Sequence, residues 1–262
     1  MRRTVRAGWA VGPLSRAVRG EWTKLRTVPG QLWTIPGLTA AMVAFTALIA
    51  AGARPDESGT LDPTALSQSG VYLAQAAAVL IAVAVVSSEY PRLMRTTLAA
   101  NPRRGTVFTA KVVVVAAAAL AAAVPAVVAA LFAGREALSS YAQLPLHSGQ
   151  LWRVTLGTAA YLVLVALLSA GVALVVRHAA AAVGTMLTLL YGPYLAVLII
   201  KMPEHALHLV QKVSPMTAGL AVQTASGPGT APLGPAAGIS VLAGYAAAAL
   251  AAGWVALRVR DA

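Results

Sequence analysis

The chain has 262 residues, of which 58% are hydrophobic and only 11% charged, and a mean hydropathy of +0.74. That balance excludes an ordinary soluble globular domain. The absence of cysteine excludes a disulfide framework and thiolate chemistry. The net charge of +12 leaves nucleic acid as a partner to be tested against where the charges lie.

A membrane-spanning helix needs about 20 mostly apolar residues. Windows free of Asp, Glu, Lys and Arg run over 27–53, 63–88, 112–134, 154–176, 178–200 and 213–257. They predict spans at 31–51, 70–86, 112–133, 151–176, 179–200 and 236–257. The whole of 1–262 is then a single all-α integral membrane domain with six transmembrane helices. The charge-free stretch 137–152 is short and carries Ser, Gln, His and Pro, so it is not a span.

Fifteen Lys/Arg fall on one side of these spans: seven ahead of span 1, five after span 2, then Arg177, Arg258 and Arg260. The other side has Arg54, Arg135, Arg153, Lys201 and Lys212. Excess Lys/Arg in short loops marks the cytoplasmic face, so both termini are predicted inside. The basic balance is thus a topology signal, and no nucleic-acid role is expected. Ala51-Gly52-Ala53 has the small residues of a signal-peptide cleavage site. The basic region before it and the apolar run are both too long for such a peptide, so cleavage is not expected.

In chain order, 14–28 reads as an amphipathic helix on the membrane surface. Leu14, Ala17, Val18, Trp22, Leu25 and Val28 share one face, and Arg16, Arg19, Thr23, Lys24 and Arg26 take the other. Pro29-Gly30 ends it. A basic surface anchor and an elbow feeding span 1 both fit, with Trp22, Lys24 and Arg26 at the membrane surface.

Tyr72 and Gln75 in span 2, with Thr188 and Tyr191 in span 5, are candidates for a translocation path. A buried amide serves helix-to-helix bonding as readily. Pro125 sits inside span 3, which tolerates a kink when neighbours satisfy the freed carbonyl. Only Arg177-His178 separates spans 4 and 5, which forces a tight hairpin. Gly192-Pro193 marks a break or bend in span 5. Short helices are predicted at 202–213 and 217–224, ahead of a Gly/Pro-rich linker at 226–235.

The segment 88–105 is a polar, basic island between apolar blocks, its charges continuing to Lys111. Ser88 is a plausible N-cap, Pro91 falls in the first helical turn, and Asn101-Pro102 stops the helix. Glu89 is placed to reach Arg92. A helix that docks a soluble partner and a loop lying on anionic headgroups remain equal readings.

Catalytic signatures are missing: there is no P-loop, His-Glu-x-x-His or Gly-x-Ser-x-Gly pattern. Glu204, His205 and His208 give only a weak Zn²⁺ set on an interfacial helix, and no metal is expected. The charge-free windows that make up these spans hold no Asp, Glu, Lys or Arg, which argues against a proton-driven carrier.

Several stretches together look familiar. Gly20-Glu21-Trp22-Thr23-Lys24-Leu25-Arg26-Thr27, Ser87-Ser88-Glu89-Tyr90, Arg95-Thr96-Thr97-Leu98-Ala99-Ala100 and Pro102-Arg103-Arg104-Gly105 resemble actinobacterial ABC-2-type transporter permeases. Tyr191-Gly192-Pro193 and Ser214-Pro215 ahead of Ala218-Gly219 do likewise. Pro91-Arg92-Leu93 departs from that pattern, where relatives more often carry Arg-Thr-Gly-like residues. The resemblance implies an ABC-2-type exporter architecture in the plasma membrane, with an elbow helix, a coupling helix between spans 2 and 3, and short outer helices.

It further implies a homodimeric or heterodimeric membrane unit driven by separate cytoplasmic ATP-binding-cassette ATPase subunits. ATP and Mg²⁺ would sit on those partners, leaving this chain without a cofactor or catalytic residue. Glu89, Tyr90, Arg92, Leu93, Arg95 and Leu98 are the residues expected to touch the ATPase. A non-transporting scaffold or sensor subunit, and an ion-coupled secondary carrier, are the competing classes. Uncharged spans fit an amphiphilic drug, a lipid, a peptide or an antibiotic equally well.

Overall fold

The structure, a computed structural model, describes residues 12–27, 29–53, 62–87, 104–139, 148–200, 203–223 and 233–260. All regular structure among them is helical: α1 (Pro13–Thr27), α2 (Pro29–Gly52), α3 (Pro63–Leu66), α4 (Val71–Ser87) and α5 (Arg104–Leu138). Then follow α6 (Gly149–Val176), α7 (Ala179–Ile199), α8 (Glu204–Val213), α9 (Pro215–Leu220), one 3-10 turn (Ala221–Gln223) and α10 (Pro235–Arg260). Six helical segments are long and apolar enough to cross a membrane: those built on α2, α3–α4, α5, α6, α7 and α10. The chain is a multi-pass helical bundle.

Small residues set its packing. Apolar side chains gain little by leaving lipid for each other, so spanning helices associate by close backbone approach. In α5, Ala118, Ala119, Ala122, Ala123, Ala126 and Ala130 form a buried stripe at helical spacing. α2 answers with Leu38, Met42, Thr46 and Ala50, one residue per turn and all buried. α6 is the hub, in contact with α4, α5, α7 and α10. Where it crosses α10, a Cβ added to Gly171 would stand 2.4 Å from the Ala249 carbonyl carbon, so only glycine permits the contact.

α7 buries only Ala182, Met186 and Leu190, a seam at every fourth residue. Its Leu195, Leu198 and Ile199 are exposed, as suits a helix facing hydrocarbon.

Helix ends follow local chemistry. Asp62 caps α3 by accepting from the Thr64 and Ala65 amides, with Pro63 in the first turn. Ser148 caps α6 and the His178 imidazole accepts from the Ala181 amide to cap α7. Between α6 and α7, Arg177 takes the left-handed conformation (φ 59°), the one non-glycine to do so among the described residues. Glycine is the usual occupant of that position. This tight connection is the hairpin expected from Arg177-His178.

Three differences from the sequence expectation have physical reasons. Helix α5 begins at Arg104, eight residues before the predicted span, because nothing between Gly105 and Lys111 breaks a helix and a partner neutralises Lys111. Its 35 residues make it about 52 Å long against roughly 30 Å of hydrocarbon, so its end turns extend past the apolar slab. Second, α7 runs through Gly192-Pro193 without breaking. Third, α2 begins at Pro29, two residues ahead of the predicted span.

Candidate functional site

Two places gather polar groups. The first lies where α1 meets α5. On α1, Val18, Trp22 and Leu25 turn towards the bundle, with Leu25 buried and Trp22 packed against the core. Glu21 falls on this same inward face and is only 6% exposed. Its Oε2 accepts from the Lys111 Nζ at 3.0 Å, and its Oε1 from the Lys24 Nζ at 2.8 Å.

Lys111 is 1% exposed, so this is a buried ion pair reaching ninety positions along the chain. Removing one partner of such a pair strands a charge at a cost of about 3–5 kcal/mol. The pair therefore makes α1 and the first turns of α5 one mechanical unit. Lys24 stays half exposed on the pair's outer edge, and Arg26 is exposed.

The predicted contact residues Glu89, Tyr90, Arg92, Leu93, Arg95 and Leu98 lie outside the described residues. Their segment joins α4 to α5, and α5 is the helix that Glu21 holds.

The second polar place is inside the bundle, towards the opposite helix ends. The Tyr161 hydroxyl donates to Gln75 Oε1, and Gln75 Nε2 donates to the Met216 sulfur at 3.3 Å. The Tyr191 hydroxyl donates to the Tyr72 carbonyl, and the rings of Tyr72 and Tyr194 lie 6.0 Å apart. Nearby, Gln223 Nε2 donates to the Thr158 hydroxyl at 3.0 Å, and Gln68 Nε2 to the Val127 carbonyl at 3.2 Å. These bonds tie α4, α5, α6 and α7 to the segment Pro215–Gln223, which is packed into the bundle with Met216 and Ala218 fully buried. Gly219 makes that possible, since a Cβ there would meet the Tyr161 ring at 2.7 Å.

Of the four path residues expected from the sequence, Tyr72, Gln75 and Tyr191 come together. Thr188 does not: it is exposed on α7. Sequence reasoning passed over Tyr161, Gln68, Thr158, Met216 and Gln223, and read Glu21 only as part of a motif. Glu204, His205 and His208 are exposed on α8, and no group of three or more metal-ligating side chains is gathered among the described residues.

No protein-family model matches this chain, and no curated protein matches it.

Proposed function

We propose that this protein is the membrane-spanning permease subunit of an ATP-driven ABC-2-type transporter, moving a small or amphiphilic molecule by alternating access. The observation that carries the reading is the Glu21–Lys111 clamp, which locks the amphipathic α1 to the start of α5. It lies at the end where the basic 88–103 segment enters α5. A push delivered there passes into α5 as a whole, because moving α1 and α5 apart would expose an unpaired buried charge. At the other end, the packed-in Pro215–Gln223 segment, joined to Tyr161 and Gln75, is the element such a push would open.

On this reading both termini are cytoplasmic, the membrane is the plasma membrane, and the permease pairs with a second copy or a similar chain. Two ATPase partners supply ATP and Mg²⁺. Only a difference in the partners' affinity for the two states drives the change. The path between Tyr72, Gln75, Tyr161 and Tyr191 carries hydroxyls, an amide and aromatic faces but no formal charge, which suits an uncharged or amphiphilic cargo. An ion-coupled carrier is less well supported, since the buried pair lies at the bundle's end, about 10 Å into α5, and both charges are mutually neutralised.

The double variant Glu89→Ala/Arg95→Ala should leave the protein folded in the membrane while lowering partner-dependent transport at least tenfold. Flux into vesicles with the ATPase subunits present is the readout. Wild-type flux in that variant would discredit the assignment.

A further inference from the structure

Helix α8 carries three chemically distinct faces. Ala206, Leu207, Val210 and Gln211 are half-buried where it rests on α7 and α9. Glu204 and His208, one turn apart, are exposed and polar. Leu209 and Val213, also one turn apart, are exposed and apolar, at 63% and 51%. Glu204 and Val213 lie about two and a half helical turns apart, so they point in opposite directions. The helix therefore leans on the bundle with one free flank suited to water and the other to hydrocarbon. His205 and Lys212, both exposed, stand between the two flanks, where a long basic side chain can reach headgroups while its stem stays in the apolar layer.

Single exposed apolar residues are ordinary on any protein surface and would decide nothing alone. Here they extend a surface that faces hydrocarbon. The end of α7 exposes Leu195, Leu198, Ile199 and Ile200, and α8 starts at Glu204 and packs back against α7. The apolar band on the outside of α7 thus continues onto the Leu209–Val213 flank.

α8 is also fastened to the segment that fills the bundle. Only Ser214 separates it from α9. The Ser214 amide donates to the Val210 carbonyl at 2.9 Å, and the Thr217 hydroxyl donates to the Gln211 carbonyl at 2.8 Å. Just beyond, Met216 and Ala218 are buried. Lifting or rolling α8 must therefore pull on Pro215–Gln223.

We infer that α8 is seated in the bilayer interface, and that this seat holds the Pro215–Gln223 segment in place. Leu209 and Val213 enter the acyl region of the adjacent leaflet, while Glu204 and His208 face water. The occupant of the apolar flank is the lipid surface itself, whatever its headgroup charge. The inference needs the membrane-spanning fold, not the transport reading.

The chain has no cysteine, so single-cysteine variants carry one label each. Glu204→Cys, His208→Cys, Leu209→Cys and Val213→Cys are spin-labelled in the full chain and placed in phosphatidylcholine nanodiscs. Relaxation by oxygen, which concentrates in lipid, and by a water-soluble nickel chelate reads the surroundings of each label. Labels at 209 and 213 should favour oxygen, and those at 204 and 208 nickel. Nickel reaching all four alike would show a solvated helix and overturn the seat. A label at 209 or 213 sheltered from both reagents would mean that protein, a second copy included, covers the flank, and would overturn it too.

The hold is read by hydrogen exchange in the same nanodiscs. Leu209→Gln/Val213→Gln should speed exchange of the 215–223 amides about tenfold, because less apolar burial lets the segment open more often, with α6 amides unchanged. Wild-type exchange over 215–223 would overturn the hold. Exchange raised equally in α6 would mean general loosening of the bundle and would overturn it as well.

Discussion

Glu21→Ala is expected to destabilise the protein by about 3–5 kcal/mol, because it leaves the Lys111 ammonium, 1% exposed, without its carboxylate. Lys111→Ala should cost a similar amount by stranding Glu21, softened by the remaining bond from Lys24. The double change Glu21→Gln/Lys111→Met removes both charges and fills much of their volume. It should recover most of the loss, since a buried pair replaced by neutral groups is often close to neutral in stability. Thermal unfolding of wild type, Glu21→Gln, Lys111→Met and the double variant in one detergent gives the four values of a cycle. Additive losses in the double variant would show that the two side chains do not act on each other. The functional consequence separates from stability here: the double variant should fold, yet its α1 is no longer bound by charge to α5, so energy coupling should fall.

Gly171→Leu should be comparably severe. Its new Cβ would meet Ala249 backbone at 2.4 Å, and backbone cannot rotate aside as a long side chain would. Overpacking typically costs about 1–3 kcal/mol, and this contact is at the upper end because two spanning helices must separate along their length. The variant should be poorly retained in the membrane fraction and lose its cooperative melting transition, while Gly171→Ala should be milder. Wild-type melting of Gly171→Leu would mean that α6 and α10 do not cross at this point.

Both predictions bear on what the sequence made legible. The six spanning helices were readable because each is a long apolar run, and lipid enforces that pattern more strictly than water enforces amphipathicity. The Arg177-His178 hairpin was readable for a similarly local reason. The start of α5 was not, since Arg104 and Lys111 break the apolar run that a span is recognised by. Their tolerance depends on Glu21, ninety positions away, and on the α10 carbonyls. A signal was present all the same: Leu14, Val18, Glu21 and Leu25 share one helical face, and an acid on an apolar face asks for a partner.

The internal polar cluster was half legible. Gln75 stands out as an amide in an apolar helix, whereas Tyr161 counts as hydrophobic until its hydroxyl is seen to donate to that amide. Thr188 shares the α7 sequence with Tyr191 but faces outward, a distinction fixed only by how α7 seats on Ala182, Met186 and Leu190.

The central claim is that an ATPase engages the segment between α4 and α5. A photo-crosslinking amino acid placed at Arg95, in membranes of the native cell, tests it most directly. The account predicts a crosslink to a soluble subunit carrying a Gly-x-x-x-x-Gly-Lys-Ser/Thr motif, stronger when nucleotide is trapped. A position reachable only by reagents from outside the cell, with no nucleotide-binding partner attached, would contradict it.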